Sequence, residues 1–224
     1  MKTIGIVGGI GPESTIDYYR LLIAAGHQRI IINSVAVQRL VGMMLYDDST
    51  GVADYLCDSI EQLAKAGADV GLIAANTPHV VFPEVQSRSR IPLVSVVQAV
   101  AEHVHAAGMT KVGLLGTRFT MEGKFYPDIF ARRGLSVVAP KRDDMEYVHA
   151  KYLGEFLQNQ FLPDTREGVL RVIDRMKDDR GIQAVILGGS ELPILLRSEA
   201  HHGLPLLDTT KIHVEAVLRA VRDK

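Results

Sequence analysis

Short runs of Val, Ile and Leu recur along the chain with little polar alternation inside them, at 3–7, 30–37, 70–74, 93–96, 111–115, 136–139, 184–187 and 204–207. Unalternating apolar runs of this length suit strands buried on both faces, the condition of a parallel sheet covered by helices. Helix patterns with good formers and caps lie between them, at 59–66 ending on Gly67, at 164–177 with Asp164 or Thr165 as the expected cap, and at 210–222. Strand and helix alternate throughout, which predicts an α/β fold.

The pattern also repeats. IGIVGGIGPESTIDYY from Ile4 aligns with VGLLGTRFTMEGKFY from Val112, so that Gly5 meets Gly113, Gly8 meets Gly116 and Tyr18 meets Tyr126. GADVGLIAANTPH from Gly67 aligns with GIQAVILGGSELP from Gly181, and the next strand of each half begins at a proline, in IPLVSV and LPLLDT. Two pseudo-symmetric domains follow as the expectation, each a mainly parallel sheet flanked by helices. They span 1–97 and 98–209, with the helical segment 210–224 crossing back to the first.

Charge narrows the partners. With 25 Lys and Arg against 26 Asp and Glu, the chain lacks the basic excess that displaces counterions from a polyanion, so neither nucleic acid nor an anionic membrane is expected. The N-terminal segment has Gly, Pro, Glu13 and Asp17 where a signal peptide needs an apolar core, and no run reaches the roughly 18 apolar residues of a membrane span. Cys57 is the only cysteine, which rules out an intrachain disulfide, a CxxC pair and a multi-cysteine metal site. Its neighbours Val52, Leu56, Ile60 and Leu63 fall at helical spacing, so a packed helix thiol is expected. A cytoplasmic location is the corresponding expectation.

In open α/β sheets ligands bind at the carboxyl ends of the strands, and four such ends here are polar or glycine-rich. Gly8-Gly9-Ile10-Gly11-Pro12 can bring backbone N–H groups close to a small anion, but it fits neither a dinucleotide fingerprint nor a P-loop. Ala75-Asn76-Thr77-Pro78-His79 offers amide, hydroxyl and imidazole. Gly116-Thr117-Arg118-Phe119-Thr120 offers two hydroxyls, and Gly189-Ser190-Glu191 a hydroxyl and a carboxylate. Each also suits a capped helix start. Arg39 suits a surface cation or a carboxylate partner, and KRDDMEYVHAK a solvated helix start. His213 follows Asp208 at a strand end, whereas His27, His103, His105, His201 and His202 show no ligand spacing to a carboxylate set, so no metal site is expected.

On these segments the sequence resembles the aspartate/glutamate racemase family of cofactor-independent amino-acid racemases. The matching stretches are GIVGGIGPESTIDYY, NSV at 33–35, ANTPH at 75–79, GLLGTRFTMEGKFY at 113–126, GGSELP at 188–193 and LDTTKIHVEA at 207–216. The resemblance implies two pseudo-symmetric α/β domains with the site between them, a homodimer, and no pyridoxal phosphate or metal. It also implies that Gly9, Gly11, Asn76, Thr77, Thr117, Thr120 and Ser190 bind the substrate. The family's two acid–base cysteines correspond by this resemblance to Ala75 and Gly189, neither of which can carry a proton.

The expected function is therefore a racemase-like isomerase acting on a small acidic amino acid or related carboxylate. His79 and Glu191 flank the two altered positions and are the candidate catalytic residues, with supporting roles placed ahead of proton transfer. The alternatives are a lyase or hydrolase on the same scaffold, or a non-catalytic small-carboxylate-binding protein.

Overall fold

The computed structural model describes residues 1–222 and divides into two compact units, residues 1–99 with the segment from Thr210, and Val100–Thr209. The first unit contains β1 (Ile4–Gly8), α1 (Pro12–Ala24), β2 (Ile30–Ser34), α2 (Val37–Leu45), α3 (Ser49–Lys65), β3 (Val70–Ile73), a 3₁₀ turn (Thr77–Val81), α4 (Phe82–Arg88), β4 (Leu93–Val94) and the start of α5 (Val96–Ala106). Its four strands are parallel in the order β2-β1-β3-β4.

The second unit contains β5 (Lys111–Gly116), α6 (Arg118–Glu122), α7 (Phe125–Ala131), β6 (Ser136–Val138), α8 (Arg142–Gly154), a 3₁₀ turn (Phe156–Gln158), α9 (Pro163–Arg180), β7 (Val185–Gly188), α10 (Glu191–Leu196), β8 (Ala200–His201) and β9 (Leu204–Asp208). Its order is β6-β5-β7-β9-β8, parallel except for β8, which pairs antiparallel with β9. α11 (Thr209–Arg222) closes the described chain.

Burial follows the sequence pattern. The central strands β1, β3 and β7 are buried at every residue, because helices cover both faces. On one face of the first sheet Ile4, Ile6 and Leu72 pack with Tyr18 and Leu22 of α1 and with Val214, Val217 and Leu218 of α11. On the other, Val7 and Ile73 pack with Val52, Leu56, Ile60 and Leu63 of α3. In the second unit Leu115, Val185 and Leu187 join Val148, Tyr152, Val169 and Ile173. Among the described residues no helix is long and apolar enough to cross a membrane.

The repeated glycines have a packing reason. A Cβ on Gly5 would lie 2.8 Å from the Ala68 Cβ, and one on Gly113 2.8 Å from the Met176 Cε. A Cβ on Gly8 would lie 2.6 Å from the Thr15 Cγ2, and one on Gly116 2.8 Å from the Gly188 carbonyl oxygen and 3.1 Å from the Thr120 Cβ, so each unit needs a bare backbone at the end of its central strand.

Several boundaries differ from expectation. The 30–37 run ends as a strand at Ser34, because its partner β1 turns away at Gly9, whose φ is 81°, and Val37 opens α2 instead. The 59–66 pattern is the second half of α3, which starts at Ser49 and is capped by Asp48 through the Gly51 N–H. The helix expected at 164–177 starts at Pro163 with no side-chain cap, which places Asp164 and Thr165 inside it. The Thr165 hydroxyl donates to Glu155 rather than to a helix terminus. The solvated start expected from KRDDMEYVHAK holds for the first turn of α8, but Val148, His149 and Tyr152 further along are buried.

Candidate functional site

Each sheet reverses its winding at one point. In the first unit the chain moves from β1 out to β2 and then returns to the far side of β1 with β3. In the second it moves from β5 out to β6 and returns to the far side of β5 with β7. The loops after two such strands leave in opposite directions and open a crevice, the usual ligand position in open α/β sheets. The four polar strand ends singled out from the sequence follow β1 and β3 in one unit and β5 and β7 in the other.

At the end of β1, Gly9 and Gly11 take φ of 81° and 79°, values that favour glycine. A Cβ on Gly9 would also lie 2.4 Å from the Val35 carbonyl oxygen. The Gly9 N–H donates to the Thr15 hydroxyl at 2.8 Å, so this amide of the loop is engaged within the protein. Gly11 precedes α1, with Pro12 at its first turn, where a missing N–H does no harm. The Ser14 hydroxyl donates to the Ala74 carbonyl at 2.9 Å and ties α1 to the end of β3.

After β3, Ala75 is half-exposed, Asn76 buried and Thr77 half-exposed. His79 is buried and both its ring nitrogens meet backbone. Nδ1 lies 2.9 Å from the Ala75 carbonyl oxygen, and the Val96 N–H donates to Nε2 at 3.3 Å. The second bond makes Nε2 an acceptor, so Nδ1 carries the proton and donates to Ala75. Burial, reinforced by nearby His213, pulls the pKa of His79 from 6.5 to about 3.

His213 on α11 is also fully buried, with Nδ1 2.7 Å from the Tyr18 hydroxyl and Nε2 2.8 Å from the Val94 carbonyl. Burial lowers its pKa to about 4. The two imidazoles stand edge to face at 6.3 Å, and His79 stacks on Phe82 at 4.9 Å. This neutral framework holds the 75–79 segment in place. As a reservoir of protons near neutral pH it is unsuitable, which favours the positioning role for His79.

In the second unit Thr117 has extended backbone, with φ −67° and ψ 161°, and its hydroxyl accepts the Thr120 N–H at 3.4 Å. Thr120 is buried, and its hydroxyl lies 3.3 Å from that of Thr117. The Arg118 N–H donates to His149 Nδ1 of α8 at 3.2 Å.

After β7, Gly189 and Ser190 are half-exposed and Glu191 is buried. Ser190 has helical φ and ψ of −63° and −21° and makes no capping hydrogen bond. Asn76, at −83° and −52°, likewise does not cap. A side chain reaches the second or third N–H of a helix from extended backbone, which only Thr117 adopts among these three. Tyr152 of α8 meets this segment as well, and nothing in the alternation of its neighbours singled it out. Burial and the charge of Glu191 hold its phenol protonated, well above the usual range.

The other candidates lie apart from these strand ends. Arg39 sits over the Tyr55 ring at 4.5 Å, a surface cation–π contact. Cys57 is half-buried on α3, and burial raises its pKa. His201 and His202 depart from expectation, since the ligand atoms of Asp174, His201 and His202 all lie within 4.8 Å of one another. His201 Nε2 is 2.9 Å from Asp174, a carboxylate that comes from α9 and so escapes any search of neighbouring residues.

Comparison with known proteins places these segments in context. The sequence profile described as Asp/Glu/Hydantoin racemase matches residues 7–217. A crystal structure described as an aspartate racemase homologue, from Pyrococcus horikoshii, superposes with a TM-score of 0.83 at 32% identity over 100% of both chains. The structure of a candidate Asp/Glu racemase from Yersinia pestis gives a TM-score of 0.87 at 30% identity, again over 100% of both chains. The broad specificity amino-acid racemase RacX of Bacillus subtilis is 27% identical over 147 residues, a span of 60% of this chain and 63% of that relative's length.

Proposed function

Because the chain belongs to the Asp/Glu/Hydantoin racemase family, we propose that it is a racemase-type isomerase of a small acidic amino acid or related carboxylate. The observation that carries this reading is the coincidence of both winding reversals, β1 with β3 and β5 with β7, with the glycine, amide and hydroxyl segments. Gly9, Gly11, Asn76 and Thr77 in one unit, and Thr117, Thr120 and Ser190 in the other, are the proposed substrate-binding residues. The family resemblance supports action without pyridoxal phosphate or metal, as a homodimer.

Racemisation moves the α-hydrogen to a base as a proton, leaves its electron pair on the α-carbon, and returns a proton from an acid on the opposite face. Ala75 and Gly189 offer no group for either step. We assign proton transfer in the second unit to Glu191, or to water held by Ser190. In the first unit it falls to water held by Thr77, with His79 fixing the segment through Ala75 and Val96. The lack of an ionisable side chain at 75 and at 189 also favours a second reading, a lyase or hydrolase needing a single base, or a protein that only binds the carboxylate.

Proton NMR in D₂O separates them. With L- and D-aspartate, L- and D-glutamate and the matching hydroxy acids, the isomerase reading expects loss of the α-hydrogen signal and, by polarimetry of the same samples, appearance of the other enantiomer, both strongly reduced in Glu191→Gln. Turnover without enantiomer exchange selects the single-base enzyme. Ligand-induced thermal stabilisation without any turnover selects the binding protein.

A further inference from the structure

Gly189 is not glycine for the sake of its backbone. Its φ lies outside the left-handed region, unlike that of Gly9 or Gly11. What excludes a side chain there is Tyr152, since a Cβ on residue 189 would lie 2.0 Å from the tyrosine hydroxyl oxygen and 2.8 Å from Cζ. The place where a side chain of residue 189 would begin is thus filled by a phenol from α8.

That phenol is fixed in position. Tyr152 is 2% exposed, belongs to the core of the second unit, and packs edge to face on Phe156 at 4.9 Å. Its hydroxyl oxygen is buried and has no hydrogen-bond partner among the described residues. Buried tyrosine hydroxyls ordinarily find a partner, and one left without is unfavourable. Phenylalanine would fill the same ring site without that penalty. Gly189, against which the hydroxyl rests, is half-exposed, and Ser190 and Glu191 follow it directly.

We propose that the Tyr152 hydroxyl is a ligand-binding group, standing in the place of a residue-189 side chain and donating a hydrogen bond to an oxygen of the bound small carboxylate. This rests on the reading of the β5 and β7 strand ends as a carboxylate site. Because the phenol stays protonated, its role is donation, with no part as a base.

The test is Tyr152→Phe, followed by thermal melting and by calorimetric titration with L- and D-aspartate and L- and D-glutamate. The expected result is a free protein that melts at the same or a higher temperature, while affinity falls by about fivefold or more. A lowered melting temperature with unchanged affinity would show a hydroxyl that serves the fold, and unchanged values of both would show an inert one. Either result overturns the proposal. If the unaltered protein binds none of these amino acids, it is the carboxylate-site reading that fails, and the Tyr152 assignment falls with it. Binding by both proteins with equal affinity removes Tyr152 alone. Tyr152→Leu, which keeps an apolar side chain but removes the donor, should lose affinity like the phenylalanine variant.

Discussion

The ends of β3 and β7 occupy equivalent places in the two repeated units, yet they treat their buried polar groups in opposite ways. After β3, the imidazole of His79 has both nitrogens engaged with backbone, one at Ala75 and one at Val96. After β7, the phenol of Tyr152 rests beside Gly189 with no hydrogen-bond partner among the described residues. A buried polar group whose bonds are all made contributes rigidity, whereas one whose bond is unmade is costly and calls for an explanation, which we place in ligand binding. The β3 end is therefore a stiff segment, and the β7 end holds an unsatisfied donor.

The two strand ends should differ most when a side chain is put back at each. Gly189→Cys must displace the Tyr152 hydroxyl, so it should destabilise the protein by about 3 kcal/mol in urea denaturation, because a packed core resists added atoms. Ala75→Cys, at a half-exposed position, should change stability by under about 1 kcal/mol. In a Tyr152→Leu background the effect of Gly189→Cys should shrink to about 1 kcal/mol, the signature of coupled neighbours. Equal effects of Gly189→Cys with and without the tyrosine would contradict the packing account.

Removing the engaged group comes next in size. His79→Leu leaves the Ala75 carbonyl and the Val96 N–H without their partners and should destabilise by about 2–3 kcal/mol, measured the same way. Tyr152→Phe, by contrast, removes a hydroxyl that has nothing to lose.

Acid titration sharpens the contrast further. His79 and His213 are neutral in the folded first unit, with pKa values lowered by burial to about 3 and about 4. Unfolded, each takes up a proton near pH 6.5, so below that pH the unfolded chain binds more protons than the folded one. Their contribution is fully present above pH 6.5. Stability then falls as pH drops from 6.5 towards 4, by about 1.4 kcal/mol per pH unit for each ring. Replacing His213 with Gln should roughly halve that slope in pH-dependent urea denaturation, and a slope left unchanged would show that these rings do not set the acid limit.

Apolar runs made the α/β class and the positions of eight strands legible; the central strands β1, β3 and β7 are buried on both faces, while the edge strands β2 and β6 have no buried residue and were legible from their β-branched residues alone. The repeat made the motif segments legible in pairs, and the glycines at 5, 8, 113 and 116 each stand where a Cβ would crowd neighbouring atoms. Tyr152 was hidden for the opposite reason. It sits in a helix of mixed charge with no clear apolar stripe, and its importance depends on Gly189, 37 positions away, lacking a side chain. Asp174 and His201 were hidden in the same way, being joined only by the return of β8 to α9. Single residues announce propensity, but contacts across elements are written only in the fold.

The smallest predicted effect tests the capping residues, where residue type alone misleads. Thr117 and Ser190 are both good cap formers at the start of a helix after a central strand. Thr117 has extended backbone and its hydroxyl accepts the Thr120 N–H, so Thr117→Ala should destabilise the ligand-free protein by about 1 kcal/mol. Ser190 has helical backbone and caps nothing, so Ser190→Ala should leave ligand-free stability within about 0.5 kcal/mol. If Ser190 belongs with Tyr152 to the open end of the comparison, the same substitution should weaken aspartate or glutamate binding in calorimetric titration. Should Ser190→Ala instead cost as much stability as Thr117→Ala while binding is unaffected, the β7 end would be a helix start like the β5 end, and the asymmetry between engaged and open polar groups would reduce to Tyr152 alone.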